Sequence, residues 1–457
     1  MRLQEISPLF GTDPWWVVLL KVVFLFVVLL VWTIFNVWFE RRVVAKMQHR
    51  LGPIMNGPFG LLQAVADGAK LLLKEDFMPS KVDRVLFTLA PLLSGTAAFT
   101  SWAVIPFAGE VDFFGVKTRL QLTDLPVSVL LILAVASVGI YGFVLAGWSS
   151  NNTYSLLGGL RSSAQMISYE VSMGLALVAV FLHSGSMATS EIVEAQAAPI
   201  TLFGLNTTIP TWYWLPLLPS FIIYGISMVG ETNRAPFDLP ECESELVSGY
   251  ITEYSGFRYA IYFLAENINM ATVSAVATTL FMGGYHAPWP INVLLPAMDT
   301  GWWGLLWFVL KVQFFIFVFV WLRGTLPRMR YDQFMNLGWK YLIPISLAWI
   351  LAIATLRVVA NEQLISRENI WWILGVVVIL LAIWAALGFV AERREAQAAQ
   401  TKAAAKPARR EFDAFAGGYP VPPMPGQELP ELATVVRSTA AGEADETVRR
   451  DREGEDA

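Results

Sequence analysis

The chain has 457 residues, 55% of them hydrophobic and only 15% charged, whereas soluble domains carry about 25% charged residues. A net charge of −5 offers no basic surface for nucleic acid. The single cysteine, Cys242, excludes an intramolecular disulfide, a cysteine-ligated cluster and a Cys-rich zinc site, and His49, His183 and His286 form no pair at metal-ligand spacing. The last 67 residues hold 23 of the 69 charged side chains, so the rest is more apolar than the average implies. The pattern predicts an all-α polytopic membrane domain over residues 1–390 and a polar Pro/charge-rich tail over 391–457, and it shows no redox cofactor housed by this chain.

A bilayer core needs about 20 apolar residues per helix. Nine stretches meet that length, at about 15–39, 83–107, 124–148, 162–183, 212–230, 256–283, 302–323, 337–358 and 369–390. The first is too long for a signal peptide and runs into Glu40-Arg41-Arg42. Trp15, Trp16, Trp38, Trp302, Trp303, Trp371 and Trp372 at span ends match an interfacial aromatic belt. Alternate connections carry 15 and 5 Lys/Arg residues. The positive-inside rule then puts the N-terminus outside and the C-terminus in the cytoplasm. Within the first cytoplasmic connection, Leu61, Leu62, Val65, Ala69, Leu72 and Leu73 form one face of a helix over Phe59–Lys74. That helix either lies on the membrane surface or folds into the protein body. The tail is either disordered or an arm laid along a neighbouring subunit, with Phe412, Phe415, Tyr419 and Val421 to dock it.

The segment between spans five and six carries Glu231, Asp238, Glu241, Glu243, Glu245 and Glu253 with Arg234 and Arg258. It also carries Pro236, Phe237, Leu239, Leu246, Val247, Tyr250 and Ile251. It is too apolar for a solvated linker and too charged for lipid. The expectation is irregular backbone folded against a protein-lined, hydrated cavity, where clustered carboxylates titrate as a coupled set. Glu170 and Glu266 lie inside spans, where a carboxylate is costly unless paired or hydrated. Each is therefore a functional candidate or a structural hydrogen bond between helices. Lys21 and Lys311, near span ends, are expected to snorkel to the interface.

The run Glu231-Thr-Asn-Arg-Ala-Pro-Phe-Asp-Leu-Pro-Glu-Cys-Glu-Ser-Glu-Leu-Val-Ser-Gly-Tyr250 closely resembles the signature of the H-subunit family of proton-pumping NADH:quinone oxidoreductase, respiratory complex I. Three more segments resemble the same family in order: His49-Arg50-Leu-Gly-Pro53 through Asp67-Gly-Ala-Lys70 to Glu75; Gly159 to Glu170; and Arg323-Gly-Thr-Leu-Pro-Arg328-Met-Arg-Tyr-Asp332. The resemblance covers about residues 15–390. It implies a subunit that docks the hydrophilic arm and adjacent small membrane subunits of the complex in the bacterial cytoplasmic membrane. It also implies a quinone substrate, menaquinone or ubiquinone, with FMN and iron–sulfur clusters held by partner subunits. Carried over by position, Glu40, Arg41, Arg50, Asp67, Phe237, Asp238, Arg323 and Arg328 would line or support the quinone path. Glu170, Glu231, Glu241, Glu243, Glu245, Glu253 and Glu266 would couple quinone reduction to proton translocation. Arg234, with Arg41 and Arg323, would balance their charge. Two residues depart from the family pattern: Ile54 replaces the usual Asn and Cys242 the usual Gly. The departures put loop geometry in question there, since Gly alone adopts positive φ freely.

Other classes are weaker. The membrane subunit of an energy-converting hydrogenase would share the Arg- and Glu-rich loops without a quinone. A stand-alone secondary transporter should show repeat symmetry and paired broken helices, which are missing here. A passive assembly anchor has no reason to bear buried carboxylates.

Overall fold

The computed structural model describes residues 13–361, apart from Phe114, 203–204 and 239–245, together with Gly375, Ile379, Gly388, Arg393 and Arg394. The chain divides into two units, Met1–Val378 and Ile379–Ala457, and the helical bundle is the first. Cys242, Glu241, Glu243 and Glu245 lie outside the described residues, as do nearly all of the expected ninth span and the tail.

Long apolar runs form long helices because only a helix satisfies its own backbone in lipid. Among the described residues seven helical stretches are long and apolar enough to cross a membrane. In chain order the main helices are α1 (Trp15–Met47), α2 (Gln63–Leu73), α3 (Arg84–Thr100), α4 (Ser128–Ser149), α5 (Thr153–Ser184), α6 (Thr189–Ala197), α7 (Leu218–Glu231), α8 (Gly256–Phe281), α9 (Trp303–Thr325), α10 (Tyr331–Asn336) and α11 (Ile343–Asn361). A π-helical turn, Leu337–Leu342, joins α10 to α11 and makes one span of them. The expected fifth span is the shorter helix α7. The chain is thus a mostly helical, polytopic membrane protein.

Local signals set the ends. Asp83 caps α3 by accepting from the N–H groups of Val85 (3.0 Å) and Leu86 (3.3 Å), and Asn152 accepts from Tyr154 N–H (3.1 Å) to start α5. Gly185, at φ +84°, ends α5 in the left-handed conformation. Small residues let helices approach closely. A Cβ on Gly158 of α5 would stand 2.5 Å from Gly249 Cα, so that contact requires glycine at 158. α3 packs on α4 and α8, α4 on α5, α5 on α7 and α11, and α8 on α9. An aromatic cluster of Phe87, Phe143, Tyr250, Tyr254 and Tyr262 joins α3, α4, α8 and the segment before α8; Phe87 stacks on Tyr254 at 4.0 Å.

Contacts between connections sort into two faces. On the first, Asp83 N–H donates to Ser149 O (3.2 Å), Asn152 to Glu253 (2.7 Å), and Met329 N–H to Pro236 O (3.2 Å). On the opposite face, two antiparallel hairpins, β1–β2 (Ala108–Phe113, Val116–Leu120) and β3–β4 (Pro199–Leu202, Leu205–Pro210), were not anticipated from hydropathy. Arg119 of β2 pairs with Glu194 of α6 (2.8 Å), and Gln121 bonds Thr189 (3.2 Å). Trp15, Trp302 and Trp303 are exposed at helix ends on this hairpin face, as an interfacial belt requires.

The snorkelling expectation for Lys21 and Lys311 is corrected. Both are buried, 6% and 8% exposed. Lys21 Nζ donates to Asp13 and Thr118, each at 2.6 Å. Lys311 Nζ donates to the carbonyls of Met282 (2.6 Å), Gly284 (2.9 Å) and His286 (2.7 Å) and sits 4.4 Å from the Trp212 ring centre. The hairpin-face loops fold back over the helix ends and supply the acceptors that water would otherwise provide. Helix α2 packs against α1 and α8, while Leu62, which precedes it, and Val65, Leu72 and Leu73 on it remain exposed.

Candidate functional site

The first face gathers opposite charges from distant parts of the chain. Glu40, near the end of α1, pairs with Arg323 of α9 in close contact and with Arg234 at 3.6 Å. Arg234 follows α7, and its guanidinium also donates to Asn267 Oδ1 of α8 (3.1 Å). Arg41 pairs with Asp67 of α2 at 2.5 Å, and Gln63 adds a bond to the same carboxylate (3.1 Å). Arg328 pairs with Asp238 at 2.9 Å. Each pair links elements more than twenty residues apart, so the cluster is a product of the fold and not of local sequence. The carboxylate of Glu40 is largely sequestered while Arg323 is half exposed.

Not every expected path residue joins this cluster. Arg50 is exposed and bonds the side chain of Gln48 (2.8 Å). Phe237 is a core ring, 7% exposed, lying 4.6 Å from the Phe334 ring and 6.0 Å from the Tyr169 ring. Glu253 accepts from Asn152 at the α4–α5 connection. Ile54 is exposed in the loop before α2.

Deeper in the bundle an internal cavity runs among α3, α4, α5, α7 and α8, with about 40 Å³ of water-sized space. Glu231 and Thr232 line it at one end, and Ser101 and Val129 at the other. On α5 the lining residues Met166, Met173 and Leu177 put Glu170 on the same helical face. On α8, Asn269, Thr272 and Val276 do the same for Glu266. Glu231 lines the cavity, while Glu170 and Glu266 stand on two of the helices that supply other lining residues. Ser137 of α4 donates to Glu170 in close contact, and Tyr250 donates to Glu266 at 2.7 Å. One oxygen of Glu231 is buried without a protein partner among the described residues. A buried orphan acceptor is the usual place for an ordered water.

The described residues of the segment after α7, on both sides of 239–245, are largely folded into the protein. Thr232, Asn233, Leu246, Tyr250, Ile251 and Tyr254 are all buried. Sequence reading named the ionisable groups but missed the neutral ones that hold them, Asn267, Tyr250 and Ser137, and Gln165, which bonds two backbone carbonyls beside them. Asn267 and Gln165 carried a detectable signal, a large amide inside an apolar span. The hydroxyls carried none, because Ser and Tyr are common in spans.

The profile of the NADH dehydrogenase family matches residues 20–354. The H subunit of NADH-quinone oxidoreductase from Cutibacterium acnes is 59% identical over 443 residues, covering 96% of this chain and 98% of the relative. The H subunit from Streptomyces avermitilis is 53% identical over 430 residues, covering 93% and 90%. That from Frankia alni is 55% identical over 396 residues, covering 86% and 84%. The chain belongs to the NADH dehydrogenase family, among the H subunits of NADH-quinone oxidoreductase.

Proposed function

We propose that the first-face charge cluster forms the chain's share of a quinone path, and that the cavity carboxylates couple quinone reduction to proton movement. The observation that carries the reading is Arg234. One guanidinium reaches Glu40 at the loop edge and Asn267, the neighbour of Glu266, in the bundle. A change of charge at Glu40 or Asp238 is thereby felt inside the membrane. Reduction of a quinone takes up two electrons and two protons and leaves a neutral quinol, so protons drawn from neighbouring side chains leave those side chains more negative until they are reprotonated. A unit charge about 8 Å away at an effective dielectric of about 20 is worth about 2 kcal/mol. That exceeds one pH unit of proton affinity, enough to move a proton onto or off a cavity carboxylate. Glu231, which lines the cavity, then exchanges protons with Glu170 and Glu266 on the neighbouring helices.

In this reading Asp238 and Arg328 position the headgroup end, and Glu40, Arg41, Asp67 and Arg323 support it. Glu241, Glu243 and Glu245 extend the acidic path, and Arg234 holds the balance of charge. The redox centres, FMN and iron–sulfur clusters, belong to partner subunits of the hydrophilic arm, and the loop face with its Lys/Arg excess lies in the cytoplasm. The relatives' name, which places them in a NADH-quinone oxidoreductase, favours quinone over a hydrogenase partner. The test is Asp238→Asn and Glu231→Gln in the assembled complex. Quinone-linked turnover falls, while NADH oxidation by an artificial electron acceptor persists. Equal retention of both activities refutes the reading.

A further inference from the structure

Gln165 lies on α5 between the loop-face end and Glu170, and it is fully buried. Its Nε2 donates to two carbonyls, Gly230 O at 2.8 Å and Phe237 O at 2.9 Å. Gly230 lies in the last turn of α7, where carbonyls lack intrahelical donors. Phe237 O lies seven residues further on. Between them run Glu231, Asn233 at φ +50°, Arg234 and a cis Ala235–Pro236 peptide. One amide thus closes the neck of a loop that carries Glu231 at one end and Asp238 just past the other. The amide orientation is fixed, because the flipped form would set its oxygen against two carbonyls.

Surrounding contacts direct the same segment to α5. Asn233 Nδ2 donates to Ser162 Oγ at 3.3 Å, one turn from Gln165. The Tyr169 ring covers Gly230 so closely that an added Cβ would meet it at 2.6 Å. Tyr169 OH donates to Phe334 O at 2.9 Å, which ties α10 into the same block.

We infer that Gln165 is a positioning residue that makes the 230–237 loop move as one body, so that displacement at the Asp238 end reaches Glu231. The inference rests on the proposed quinone and proton roles of those two carboxylates. Tyr169 also touches both ends, covering Gly230 and lying 6.0 Å from the Phe237 ring, but by ring packing, which has less directional preference than the two hydrogen bonds of the amide. Misplacement of a reacting group by about 1 Å can cost on the order of a hundredfold in rate.

The test uses the assembled, membrane-bound complex with three single variants: Gln165→Met, Gln165→Glu and Glu231→Gln. Met keeps the volume and removes both donors. Protonated Glu restores one O–H donor, and ionised Glu sets a carboxylate against two carbonyls. The expected result for Gln165→Met is quinone-linked turnover lowered by about tenfold, with fewer protons moved per NADH oxidised and artificial-acceptor activity retained. Gln165→Glu is expected to recover toward the parent as pH falls, adding an acidic limb to the pH profile that a packing role alone would not produce. Wild-type coupling in Gln165→Met, or a Gln165→Glu profile parallel to the parent, overturns the inference. If Gln165→Met does not assemble, the Gln165→Glu profile decides by itself. Loss in Glu231→Gln with none in the Gln165 variants sinks this inference and leaves the functional reading intact. No loss in any of the three sinks that reading.

Discussion

Single side chains here are held by neutral partners as much as by opposite charge. Glu266 accepts from Tyr250, Glu170 from Ser137, and Arg234 donates to Asn267. Glu170→Gln and Glu266→Gln keep size and hydrogen bonding but remove titration. Sites that act in one proton path are non-additive. The double variant is therefore expected to lose more coupled turnover than Glu110→Gln on the hairpin face, yet less than the product of the two single losses. Proton pumping by vesicles carrying the assembled variant complex measures this, and normal pumping in the double variant would return both residues to a structural role. Lys311 is the second residue-scale case. Lys311→Met leaves three buried carbonyls without their donor, and stranding buried polar groups costs about 3 kcal/mol or more. A clear fall in the melting temperature of the complex is expected, against little change for the exposed Lys340→Met.

Among the elements, the hairpin-face segment between α8 and α9 shows how ordering depends on one carboxylate. Burial alone would raise the Asp299 pKa. Its bonds from His286 (3.3 Å) and Ala287 N–H (2.6 Å), with the charges of His286 and Lys311, hold it below the ordinary carboxylate value. A lowered folded-state pKa gives stability that is present above the unfolded value, about 3.9, and is lost as pH falls through the folded one. Asp299→Asn should therefore lower the melting temperature near neutral pH, with the gap from the parent closing on strong acidification. A gap that widens in acid contradicts the assignment. Elements differed in how far sequence disclosed them. Eight of the helices that cross or approach the membrane were legible because their apolar runs are long enough to need no partner information. The hairpins were not, since Glu110, Asp112, Lys117 and Arg119 read as an ordinary polar connection until their register is seen. Glu40 with Arg234 and Arg323 was legible only through resemblance: nothing local marks residues about 190 and 280 positions away as partners. Lys21 and Lys311 were misjudged because hydropathy cannot report that a loop returns to cover a helix end.

At the scale of the whole molecule the two faces are chemically unlike, and this asymmetry predicts an orientation that can be measured. The first face holds most of the Lys/Arg excess and the long α1–α3 connection; the other holds both hairpins and few cations. Positive loops remain in the cytoplasm, so Lys74 should face inward and Lys117 of β2 outward. Both side chains are exposed on the chain. Cys242 is the single native cysteine, so a Cys242→Ala background permits one introduced thiol at a time. Intact spheroplasts carrying Lys117→Cys should react with a membrane-impermeant maleimide, and those carrying Lys74→Cys should react only after the membrane is opened. Assembly is checked on each variant by quinone-linked turnover, because neither residue belongs to the charge cluster or the cavity. The two positions are joined through one span, α3, so they must report opposite sides if that helix crosses. Labelling of Lys74→Cys but not Lys117→Cys in sealed cells would invert the orientation and place the charge cluster on the wrong side for an electron donor in the cytoplasm. Equal labelling of both in sealed cells would mean that α3 does not cross, and would overturn the two-faced arrangement itself.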